Sequence, residues 1–79
     1  MLVHYCTEAL KQAHYKRLED ESWFADIPGF MGVWANAETV EATREELYGV
    51  LQEWLLLKLK DGDILPIVNG IDLNTLNAA

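Results

Sequence analysis

The stretch from Trp23 to Thr39, WFADIPGFMGVWANAET, decides how this chain folds. Pro28 cannot donate to a β-ladder, and Gly29 and Gly32 accept backbone dihedrals that side chains disfavour. IPGFMG therefore reads as a bend with an apolar tip between two strands, not as one continuous strand. A strand is predicted ahead of the bend over 22–27, VWANA resumes the sheet after it, and Asn36 to Glu38 turn the chain into the next element. Trp23 and Trp34 flank the bend. With Trp54 they are expected first as core, and Trp23 and Trp34 are also candidates for a partner contact, where tryptophan is enriched.

Downstream lies the strongest periodic signal. Thr39 is the expected N-cap of a helix over 40–60, with Glu41 in the first turn where the helix dipole favours negative charge. Val40, Thr43, Leu47, Val50, Leu51 and Trp54 recur at spacings of three and four, which gives one apolar face to lay on a sheet. Lys58 and Lys60 followed by Gly62 fit the C-terminal end. A second stripe, Tyr48, Gln52, Leu55, Leu56 and Leu59, flanks the first, and one sheet face cannot cover both. Either an N-terminal helix or another subunit packs there, so Tyr48, Leu55, Leu56 and Leu59 are the candidate oligomer interface. Gly49 inside the helix disfavours it by roughly 1 kcal/mol relative to alanine and leaves room for a close neighbour.

Upstream, residues 13–19 and 22–27 read as a hairpin, with Glu19, Asp20, Glu21 and Ser22 supplying turn chemistry. The three adjacent carboxylates there diverge and are read as a solvated turn, not a metal site. Leu2, Cys6, Ala9, Leu10 and Ala13 sit at helical spacing, so residues 1–12 are expected as a short amphipathic helix. Beyond Gly62, Ile64, Leu65, Ile67 and Val68 surround Pro66, and residues 64–73 are expected as an outer edge strand, followed by a small polar tail at 74–79. The expectation is a single α+β domain of order α-β-β-β-α-β. An antiparallel meander over 13–36 with three or four strands packs on one long helix.

Composition narrows the function. The 79 residues carry 6 basic and 13 acidic side chains, a net charge of −7, which repels a phosphate backbone and favours a basic partner. At this size the core is thin, and a second copy is a natural way to complete it. Cys6 is the only cysteine, so neither an internal disulfide nor a cysteine-based zinc site is expected, and the cytoplasm is the default compartment. The longest apolar run, WLLL at 54–57, is far shorter than the ~20 residues a membrane span needs. No phosphate-cradling glycine motif is present, Ser22 lacks a paired histidine, His4 and His14 have no partner ligand at helical spacing, and Asp26 is an isolated strand acid. No catalytic residue, metal or cofactor is expected.

With this element order in place, the run from Tyr15 to Leu59 resembles the HicB-like antitoxin family. Ile27, Pro28, Phe30 and Gly32 match the family's VPxLPG turn, Thr39 matches the threonine that opens the following helix, and EELYGVLQEWLLLKLKDG matches its Glu/Leu-rich body. The resemblance implies a fold similar to a degenerate RNase H-like or double-stranded-RNA-binding arrangement, without catalysis. It also implies a role as the antitoxin of a type II toxin-antitoxin pair, neutralising a small basic HicA-type mRNA-cleaving toxin. With the chain ending at Ala79, the C-terminal DNA-binding domain carried by many members is not expected. Met31 stands where the turn's second proline would be, Ala37 where a glycine often precedes the helix, and the N-terminal helix is extra. A stand-alone homo-oligomeric interaction module of the same fold is the alternative.

Overall fold

The computed structural model describes residues 2–73. Its elements run in the order α1 (Leu2–Lys11), β1 (His14–Arg17), β2 (Trp23–Asp26), β3 (Trp34–Ala37) and α2 (Val40–Asp61). The three strands form an antiparallel sheet of order β1-β2-β3. Register aligns Tyr15, Ala25 and Ala35 in one row and Lys16, Phe24 and Asn36 in the next, so the first row faces inward and the second faces water. Ala25 and Ala35 are fully covered because α2 lies across β2 and β3.

The turns explain the strand lengths. Leu18 N–H donates to Ser22 O, Glu21 N–H donates to Leu18 O, and Glu21 has a φ of 68°. This is a three-residue hairpin loop, a type I turn followed by a left-handed residue that forms a bulge. Asp20 tightens it by accepting from both the N–H and the hydroxyl of Ser22, which holds its carboxyl below the usual range. The bend that joins β2 to β3 consists of two consecutive turns. Phe30 N–H donates to Ile27 O at 3.1 Å and Val33 N–H to Phe30 O at 3.2 Å, each turn with a glycine third, Gly29 and Gly32, at φ of 86°. Pro28 and Met31 keep negative φ, so both are type II turns.

Thr39 caps α2 as expected: it is extended, and its hydroxyl accepts from Ala42 N–H at 3.0 Å. At the other end Gly62 is left-handed at φ of 71°, and the amides of Gly62 and Asp63 close back on Leu59 O and Lys58 O in a Schellman motif. The buried face is Thr43, Leu47, Leu51 and Leu55. A helix of 22 residues spans about 33 Å, whereas four-residue strands span about 13 Å, so the C-terminal half of α2 overhangs the sheet. The overhang is covered by α1, through Tyr5, Cys6, Ala9 and Leu10, and by Leu65, Val68 and Leu73 in the same core. Thus α1 occupies part of the second stripe of the long helix.

The expected edge strand over 64–73 does not form. Asn69 and Gly70 both take positive φ, of 47° and 79°, and Val68 and Ile71 exchange both backbone hydrogen bonds, an isolated bridge. This is a type I′ two-residue turn, which reverses the chain in the middle of the segment. With Pro66 on one arm, neither arm is long enough to join the sheet. The segment is tied to α1 instead: Tyr5 Oη donates to Pro66 O at 2.6 Å and Asn69 Nδ2 to Glu8 Oε1 at 2.7 Å. The tail at 74–79 lies outside the described residues.

Candidate interaction surfaces

Phe30, the aromatic of the double turn, points inward. It is buried between Tyr5 and Trp54, with ring centroids 6.2 and 5.0 Å away, and Ile27 and Val33 on either side are buried too. Trp54 Nε1 donates to Met31 O at 3.1 Å, which fastens α2 to the turn. Of the motif residues, Ile27 and Phe30 are therefore packing anchors, and Pro28 and Gly32 shape the bend.

Outside the same turn lies the first exposed patch. Met31 is 89% exposed, and Trp34 is 54% exposed, stacked on Phe24 at 5.9 Å with 24° between the rings. The expectation of Trp34 as core is thereby corrected. Position 34 falls in the outward row of β3, beside His14 and Asp26 in register, and alternation along a strand leaves it no route inward. Trp23 and Trp54 are half-buried. Arg17 lies over the Trp23 ring at 5.8 Å and Lys58 over Trp54 at 5.5 Å, so these indoles are partly roofed by cations. Asp26 is exposed, as its isolated position in a strand implied.

A second apolar patch follows α1 and α2, where Leu2, Val3, Tyr48, Gln52, Leu56 and Leu59 line an open groove. The candidate interface residues divide here. Leu55 is only 2% exposed and belongs to the core, so it is not available to a partner; Leu56 is 65% exposed, and Tyr48 and Leu59 are half-buried at the groove wall. The one-residue difference follows from the 100° step between neighbours on a helix. Cys6, at the groove floor, is 3% exposed, and burial pushes its thiol up.

Charge is distributed unevenly. The N-terminal half of α2 and its approach carry Glu38, Glu41, Glu45 and Glu46, all exposed, against one base, Arg44. Three ion pairs are found among the described residues: Lys11 with Glu8, Arg17 with Glu21, and Lys58 with Asp63. No group of three or more His, Cys, Asp or Glu side chains among the described residues is placed to hold a metal ion. No helix among them is long and apolar enough to cross a membrane.

A helix, a three-stranded antiparallel sheet and a long capped helix define a class of small, compact α+β domains, here with apolar patches and an acidic helix face. The chain belongs to the UPF0150-like family, whose profile matches residues 4–66, a family of small proteins of HicB-like antitoxin type not known for enzymatic activity. The crystal structure of TTHA0281 from Thermus thermophilus superposes with a TM-score of 0.84 at 30% sequence identity, covering 90% of this chain and 89% of that one. Comparison with curated proteins finds no match.

Proposed function

We propose that this protein is a HicB-like antitoxin that binds and neutralises a small, basic, HicA-type mRNA-cleaving toxin without catalysing a reaction itself. The observation that carries this reading is the acidity of a domain in this family, at a net charge of −7, with 13 acidic side chains against 6 basic ones. Such a field attracts a basic ribonuclease and competes with its RNA for the same surface. The exposed Met31 and Trp34 beside the double turn, with the half-buried Phe24 stacked on Trp34, would supply the apolar anchor that charge alone does not.

The test is to add the purified protein to the HicA-type toxin encoded beside its gene and to follow cleavage of a reporter mRNA. Cleavage should stop near equimolar amounts, and the association rate should fall steeply as ionic strength rises. Cleavage that persists at a large excess of this protein would sink the proposal. The apolar groove between α1 and α2 supports a second reading, a homo-oligomeric interaction module without a toxin. That reading predicts self-association with unaltered toxin activity.

A further inference from the structure

On α2, Glu45, Gly49, Gln52, Leu56 and Lys60 fall within roughly 80° of one another at the helical step of 100° per residue. All five are exposed. Gly49 is the odd member. Glycine is among the poorest residues in a helix interior, and a Cβ at this position would meet nothing within 4 Å, so the packing of this chain does not require the gap. Leu56, two turns on, is the reverse: a large apolar side chain left 65% exposed. At the ends stand Glu45 and Lys60, neither in an ion pair among the described residues.

These positions are self-complementary. Gly49 and Leu56 are equidistant from the midpoint between Gln52 and Glu53, and so are Glu45 and Lys60. We infer that a second copy of this chain lies antiparallel along this stripe of α2, about a two-fold axis through that midpoint, with each Leu56 seated over Gly49 of the other copy. The same rotation sets each Glu45 beside the other copy's Lys60 at both ends of the contact, and it meets the requirement of an isologous interface that one surface fit itself. Leu2 and Val3, in the groove next to Leu56, widen the apolar centre. Glu53 sits on the flank of the stripe and meets its own mate near the axis at the wet rim, the one unfavourable pair. This interface does not rest on the toxin reading, and it leaves the Met31 and Trp34 patch free.

Sedimentation velocity of the full chain over a concentration series tests it. The wild type should show a reversible monomer-dimer equilibrium. Gly49→Gln fills the gap with a better helix former, so it should weaken the dimer by at least about tenfold while leaving the far-ultraviolet circular dichroism intact and the monomer's thermal midpoint equal or higher. Glu45→Lys and Lys60→Glu should each weaken it by roughly two- to fivefold, as exposed pairs do, and the double exchange should recover the wild-type constant. Glu53→Gln should tighten it. A wild type that stays monomeric throughout, or a dimer indifferent to Gly49→Gln and to the charge exchange, overturns the inference.

Discussion

Phe30 and Met31 are neighbours with opposite fates, and the double type II turn decides which is which. Phe30 closes the first turn and opens the second, so its side chain is driven between Tyr5 and Trp54; Met31 occupies the corner of the second turn and faces water. Phe30→Ala should therefore cost about 3–5 kcal/mol of unfolding free energy, as buried aromatic truncations do, measured by urea denaturation. Met31→Pro should act the other way. Met31 has a negative φ, its N–H closes neither turn, and proline presets that corner, so a gain of about 0.4–1 kcal/mol through the unfolded chain is expected in the same assay. Met31→Pro leaves Trp54 its acceptor, because the carbonyl of residue 31 is kept. At position 37 the structure explains why alanine suffices: its φ is not positive, so the turn into α2 does not need glycine.

At the scale of elements, α2 and the meander were legible and the last segment was not, for physical reasons. The helix is legible through Thr39, Gly62 and apolar spacings of three and four, in which Thr43, Leu47 and Leu51 are buried, whereas Leu55, expected on the second stripe, joins the same buried face. The strands are legible through their turns more than through alternation, which is why β1 and β2 end one or two residues inside their expected bounds while β3 runs to Ala37, one residue past the expected end of the meander. The segment 64–73 reads as a strand because its apolar content outweighs VNGI, although Asn-Gly between apolar residues is a strong short-range turn signal and forms the turn here. Trp34 shows the same weakness in another form: hydrophobicity does not say which sheet face a strand residue will occupy. Gly70→Ala should expose the cost of the turn. At a φ of 79° with open space around the Cβ, the penalty is a purely conformational one of about 1–2 kcal/mol. Native-state hydrogen exchange should show it as lost protection at the amides of Val68 and Ile71, with α2 amides unaffected.

For the molecule as a whole, the contact between α1 and the C-terminal segment makes stability depend on pH at both ends of the scale. Burial, with Cys6 and Asp72 adding to it, pushes the Tyr5 hydroxyl up to about 12 from an ordinary 10. A group whose folded-state pKa is raised contributes its stability in full below the unfolded value and loses it as pH climbs through the folded one. Unfolding is therefore expected to become easier between about pH 10 and 12, and Tyr5→Phe, less stable at neutrality for want of its bond to Pro66, should flatten that decline. Glu8 has the opposite sign. Hydrogen bonds from Lys11 and Asn69 hold its carboxyl below the usual range, so its contribution is present above that range and fades as pH falls through the lowered value. Glu8→Gln should give a shallower loss of thermal midpoint on acidification.

Among the described residues the sheet ends on both sides in an unpaired strand, and the two margins differ. The β1 margin is lined by His14, Lys16 and Arg17, where the Lys16 and Arg17 charges and the bulk of all three discourage a strand from another molecule, whereas β3, reading WANA, carries no charge at all. Its brevity, four residues between a glycine-bearing turn and a capped helix, limits the template it offers to another strand. Melting of the first turn of α2 would free chain to lengthen β3 and bare a longer uncharged edge, so the cap made by Thr39 also guards that margin.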